Sequence, residues 1–141
     1  MRALLSALLV VFVAGFLPQP AAADSSADRD DIIRIISSQL DAFQRDDGVE
    51  AFSYASPGIR SIFGTPDRFM RMVIQGYMPV YRPQSVEFLE LIETDGGPVQ
   101  KVKLIDPNGR PVMAIYTMER QGDGTWRIAG CVLFQMDGRS A

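Results

Sequence analysis

The chain has 141 residues with Lys+Arg 14 against Asp+Glu 17, a formal net charge of −3, and 47% hydrophobic residues. That fits one small globular domain and excludes a disordered or fibrous chain. With His 0 and Cys 1, a Ser-His-Asp or Cys-His catalytic pair, a His-ligated metal, a cysteine zinc cage and an internal disulfide are all excluded.

The first 23 residues read as a secretory signal peptide. Arg2 supplies the positive start, residues 3–17 are apolar apart from Ser6 and Gly15, and Pro18 and Pro20 break any helix. Ala21, Ala22 and Ala23 offer small side chains for cleavage before Asp24. The apolar run is shorter than the roughly 20 residues of a membrane span. The expectation is therefore an exported protein, periplasmic or secreted, with one domain over residues 24–141 and no membrane span in the mature chain. Acidic charge and export argue against a nucleic-acid partner.

The first part of that domain reads as helical. Ser25 and Asp28 resemble a capping box, and Asp28, Asp30 and Asp31 suit the positive end of a helix. Ile32, Ile36, Leu40 and Phe43 recur at helical spacing, with Gln39 on the same face. Asp47 and Glu50 predict a second helix through Ala55, with Val49 and Phe52 on its buried side. Ser56-Pro57-Gly58 reads as a turn before a short helical stretch at residues 59–63. Thr65-Pro66-Asp67 is a strong helix start. The face expected to be buried there carries Met70, Val73, Ile74 and Tyr77, with Gly76, Pro79 and Pro83 ending the helix.

After Pro83 the apolar period becomes two. Strands are predicted over residues 85–94, 99–105, 112–120 and 125–135, with an irregularity at Leu91-Ile92. The turns are Asp95-Gly96-Gly97, residues 106–109 with Gly109 left-handed, and Gly122-Asp123-Gly124. Such short connections require antiparallel neighbours. The fold class is α+β, with N-terminal helices packed on a four-stranded antiparallel meander and a frayed end at residues 136–141. On the last strand, Trp126, Ile128, Gly130, Val132 and Phe134 are expected on one face and Arg127, Ala129, Cys131 and Leu133 on the other. Both faces are apolar enough that one could pair with a second copy, giving a homodimer through the sheet.

The polar groups available for a site are few. Tyr77, Tyr81 and Arg82 sit in the proline-stiffened link between helices and sheet, where Tyr81 and Arg82 could line a pocket mouth or simply bond loop carbonyls. Gln39 and Tyr116 fall on inward faces, as ligand contacts or as satisfied core polar groups. Tyr54, near the end of the second helix, is a weaker candidate. Cys131 reads as a small core hydrophobe without a basic neighbour to activate it. Seven methionines do not make a copper site: Met70 and Met72 diverge on a helix, and Met113 and Met118 face opposite ways on a strand. Glu87, Glu90 and Glu93 do not share one face, and Lys101 and Lys103 make a small solvated stripe. No cofactor and no metal is expected.

The blocks at residues 51–60, Phe63-Gly64, Met72-Val73, Gly76-Tyr77-Met78-Pro79-Val80-Tyr81-Arg82-Pro83 and Trp126-Arg127-Ile128-Ala129-Gly130-Cys131 resemble an uncharacterised bacterial exported family, domain of unknown function 4864. The order of helices and meander, with the closing Trp-Arg-Ile-Ala-Gly run, also resembles the wider nuclear transport factor 2-like, or cystatin-like, cone. That resemblance implies a curved sheet closed by helices, and it leaves activity open because the superfamily holds both enzymes and binding modules. The leading expectation is a non-catalytic module for a small apolar or amphipathic ligand, or a partner protein. A cofactor-independent lyase or isomerase is the alternative, and it needs an acid beside a tyrosine in the cone.

Overall fold

A computed structural model describes residues 23–136 of the chain, with side chains from residue 26 onward. The apolar leader expected over residues 1–23 falls, except for Ala23, outside the described residues, as do residues 137–141. Five helices precede four strands: α1 (Ala23–Gln44), α2 (Gly48–Ser53), α3 (Pro57–Phe63), α4 (Pro66–Gly76), α5 (Met78–Tyr81), β1 (Ser85–Thr94), β2 (Gly97–Ile105), β3 (Pro111–Arg120) and β4 (Trp126–Gln135). The strands form one antiparallel sheet in the order β1-β2-β3-β4. The helices pack on one of its faces, so the α+β expectation holds. Among the described residues no helix is long and apolar enough to cross a membrane.

The helix α1 begins at Ala23, so the backbone is already helical at Ser25. Alanine is the best helix former and carries the helix back past the serine. Ile32, Ile36, Leu40 and Phe43 are buried against the sheet, as their spacing requires. The helix ends in a Schellman-type closure: Asp47 N–H donates to Ala42 O and Asp46 N–H to Phe43 O. That puts Asp46 at φ 54, a position that favours glycine.

Side-chain caps open the next three helices. Asp47 accepts from Glu50 N–H, Ser56 from Ile59 N–H and Thr65 from Arg68 N–H. Ser56-Pro57-Gly58 is therefore a helix start and not a free turn; Ser56-Pro57 repeats the arrangement of Thr65-Pro66. The helix α2 stops at Ser53, short of the expected Ala55, because Tyr54 O accepts from Ile128 N–H and Ser56 N–H donates to Ile128 O. These two bonds splice the link between α2 and α3 onto β4. Val49, expected to be buried, is 73% exposed. On α4 the buried residues are Phe69 and Val73, while Ile74 points to solvent. Pro79 does not end helical structure; it sits in the first turn of α5, where its missing N–H costs nothing.

Two bulges shape the sheet. In β1 the register shifts between Phe88 and Leu91, so that Leu89 and Glu90 together face Lys101. This is two residues before the expected irregularity. The carbonyls freed there are satisfied: Leu89 O accepts from Arg29 Nη2 and from Gln100 Nε2. The bulge also puts Glu90 beside Lys101, at 2.7 Å, while Glu87 pairs in register with Lys103. The two lysines thus face acids rather than forming a bare basic stripe.

In β4 the register jumps from Ile128 opposite Met118 to Gly130 opposite Thr117, leaving Ala129 as the extra residue. Strict alternation therefore fails at Ala129. Trp126 and Ile128 face the helices, and beyond the bulge Cys131 and Leu133 join them, opposite Tyr116 and Ala114. Val132 and Phe134, expected on the side of Trp126, are 54% and 55% exposed on the outer side. The turn at residues 106–109 behaves as expected, with Gly109 at φ 80 and the Asp106 carboxylate accepting from Asn108 N–H and Arg110 N–H.

Candidate functional site

The helical layer leaves space over the inner face of the sheet. Between α3, α4 and β4 lies a cavity of about 390 Å³, within the range of small-molecule sites. Ile59 and Phe63 come from α3, Phe69, Met72 and Val73 from α4, Val80 from α5, and Ile128, Gly130, Cys131 and Val132 from β4. Phe43 and Gln39 of α1, Ala55, Tyr77 and Tyr116 complete the wall. Phe69 is the centre of its aromatic side, with Phe52, Phe63 and Phe43 ring centroids at 5.4, 5.8 and 6.2 Å. Among the described residues no aspartate, glutamate, lysine or arginine lines the cavity.

Three of the five residues singled out from the sequence meet here. Gln39 is 4% exposed, and its Nε2 donates to Ala51 O at 3.1 Å, so its amide nitrogen is committed to the backbone. Tyr77, the shared cap of α4 and α5, donates its hydroxyl to Cys131 O at 3.1 Å. That bond fixes the end of α4 to the edge strand. Tyr116 differs from both. It is 1% exposed, and its hydroxyl is buried with no geometrically acceptable hydrogen-bond partner. Leaving a buried hydroxyl unpaired costs about 1–3 kcal/mol.

The Cys131 thiol lies beside that hydroxyl across the β3–β4 pair. Burial pushes the thiol up to about 12, slightly relieved by Tyr116. Burial also raises the Tyr116 hydroxyl well above its ordinary value, with the neighbouring thiol adding to the shift. Both groups therefore stay neutral across the physiological range. Cys131 entered the cavity wall through the Ala129 bulge, which the alternating pattern hides. Phe69, missed on the sequence, stands four residues before Val73 and eight before Tyr77, a spacing that would have found it.

Tyr81 and Arg82 are not part of the cavity lining. They close on the C-terminal end of α1. The Arg82 guanidinium donates to Phe43 O at 2.6 Å and to both Asp46 carboxylate oxygens, at 3.0 and 3.1 Å. The Tyr81 hydroxyl donates to the same carboxylate, and the guanidinium lies 3.9 Å from the Tyr81 ring centroid. A cation at exposed helix carbonyls is favourable by charge and by dipole. The carbonyl-bonding alternative describes Arg82, whose donors are spent within the fold. The Tyr81 hydrogen bond, followed by Arg82, holds the Asp46 carboxyl below its ordinary range, and Asp46 in turn raises the Tyr81 hydroxyl. Tyr54 donates to Glu50 on α2, away from the cavity wall.

Among the described residues no group of three or more Cys, Asp or Glu side chains is placed to hold a metal ion. The cavity offers shape, apolar contact and, in its wall, a buried hydroxyl without a well-formed hydrogen bond, which suits binding and orientation. A carboxylate–tyrosine pair is not assembled in it.

No curated protein and no solved structure matches the chain. The model of the family described as domain of unknown function (DUF4864) matches residues 25–141, nearly the whole sequence and every element of the fold described above. The chain belongs to the DUF4864 family.

Proposed function

We propose that this protein is an exported, non-catalytic binding module that holds one small apolar or amphipathic molecule between its helices and its sheet. The observation carrying this reading is the cavity of about 390 Å³ with an almost wholly apolar wall. Protein interiors are close-packed, and a void of this size forfeits contacts on every side unless something occupies it. At the roughly 30 Å³ that a water-sized group takes in a liquid, the space suits about a dozen non-hydrogen atoms. Export is supported by the basic start, the apolar run and the small residues before Asp24. The order of helices and meander supports the nuclear transport factor 2-like likeness, and in that architecture a hollow cone commonly serves binding.

Titration with 1-aminoanthracene, a neutral fluorescent ring system of suitable size, tests the reading. The expected result is saturable one-to-one binding, weakened at least tenfold by Ile59→Trp, which plugs the rim from α3. Met72→Trp is the second plug, placed on α4. Absence of saturable binding would overturn the reading. So would undiminished binding in plugged variants that retain the circular dichroism of the parent.

A further inference from the structure

Resting on the cavity reading, we infer that the occupant is a neutral molecule with an apolar body and one carbonyl or hydroxyl oxygen, hydrogen-bonded to Tyr116. The inference comes from sorting the polar atoms around the cavity by what they already do. The Gln39 amide nitrogen serves Ala51 O, and the Tyr77 hydroxyl serves Cys131 O. The Tyr116 hydroxyl alone among these is fully buried and makes no hydrogen bond of acceptable geometry, with the Cys131 thiol, a weak donor and acceptor, beside it. It stands on the central strand β3, so its position is set by sheet register on both sides and not by a mobile loop. A rigid hydroxyl of this kind selects for an oxygen that can take its proton in a hydrogen bond.

Charge selects as sharply as geometry. A carboxylate or ammonium in the cavity would meet no counter-ion among the described residues, none of which brings a charged side chain to its wall. The guanidinium that an anion would seek, Arg82, is held by Asp46 and Phe43 O outside the wall. The thiol of Cys131, which stays protonated, adds polarizability without charge. A neutral alcohol or ketone matches this wall; a fatty acid and a bare hydrocarbon do not.

Displacement of 1-aminoanthracene by four ten-carbon competitors at pH 7.5 tests this: 1-decanol, 2-decanone, decanoate and decane. The two neutral oxygenated compounds are expected to compete at least tenfold better than decanoate and several-fold better than decane. Tyr116→Phe preserves the ring and is expected to weaken 2-decanone about fivefold or more while leaving decane unchanged. Equal or better competition by decanoate would overturn the inference. So would a Tyr116→Phe protein that still prefers 2-decanone over decane by the parent's margin. The selectivity series on the parent decides the question even if the variant folds poorly. Should all four compete equally, the cavity binds but Tyr116 does not select, and the inference falls while the binding reading stands. Should the probe itself fail to bind, both fall.

Discussion

The two tyrosine-bearing clusters of this molecule stand in contrast. At the end of α1, Asp46, Tyr81 and Arg82 form a closed set in which each named polar side chain is bonded to another or to a backbone carbonyl. At the cavity wall, Tyr116 carries a buried hydroxyl with no hydrogen bond of acceptable geometry and the weakly bonding Cys131 thiol beside it. The first cluster is rich in charge and is spent on architecture. The second is poor in charge and has capacity left over. Density of chemical groups in a sequence is thus a weaker guide to a site than unspent hydrogen-bonding capacity next to empty space.

The contrast can be broken most forcefully at Cys131. A thiol pushed up to about 12 from an ordinary 9.0 holds about a thousandfold less thiolate, partly offset by the greater nucleophilicity of each thiolate. Alkylation by iodoacetamide at pH 7.5 is expected to run at least about thirtyfold slower than for a free cysteine. Mass spectrometry of the timed reaction checks this. A rate like that of free cysteine would mean a wet, polar cavity and would remove the basis for an apolar occupant.

Arg82→Ala probes the other cluster. It removes the Arg82 donor from Phe43 O and leaves the Asp46 carboxylate to the Tyr81 hydroxyl, and hydrogen bonds to charged groups contribute about 1.5–3 kcal/mol. Because the Arg82 side chain is a third exposed, the lower part of that range applies, and Tm should fall by about 5–10 °C. Binding of 1-aminoanthracene to the folded fraction should not change. Intact stability with lost binding would reverse the roles assigned to the two clusters.

A smaller effect follows from acid. The Asp46 carboxyl lies below its ordinary value in the folded state, chiefly through Tyr81 and then Arg82. Its contribution to stability is therefore present above the unfolded value near 4 and is lost as pH falls through the lower, folded value. The drop in Tm between pH 6 and pH 3 should be smaller in Asp46→Asn than in the parent. Glu90, Asp106 and Asp123 are also held low by their hydrogen bonds, so the parent's acid transition should persist in part. An identical drop in the two proteins would show that the Asp46 charge contributes nothing to the closure.

Much of this fold is legible in the sequence, for physical reasons that differ by element. Thr65-Pro66 and Asp47 are local caps, and local chemistry is written locally. The meander follows from turns too short for anything but antiparallel pairs. The Ala129 bulge was not legible as such, although a glycine inside a strand, here Gly130, is its usual sign. Missing it grouped Val132 and Phe134 with Trp126 and set Cys131 and Leu133 on the opposite face. The grouping of Gln39, Tyr77 and Tyr116 needed three elements brought together over long separations. Their inward faces could be read, but not which of them would find a partner. Tyr81 and Arg82 drew attention as neighbours in sequence, while what occupies them, Asp46, lies 35 and 36 residues away.

Tyr81→Phe should produce the smallest change of all, and its smallness is informative. The hydroxyl removed is solvent-facing, and Arg82 still bonds Asp46 and Phe43 O without it. The ring remains under the guanidinium. What disappears is the bond that does most to hold the Asp46 carboxyl low, so Asp46 should titrate closer to its ordinary value. The expected signature is a Tm at neutral pH within about 2 °C of the parent, with a smaller drop in Tm between pH 6 and pH 3 than the parent shows. Carboxyl titration by carbon-detected NMR would report the shift directly. If Tyr81→Phe instead abolished probe binding with Tm unmoved, Tyr81 would belong to the ligand and the separation of the two clusters would fail.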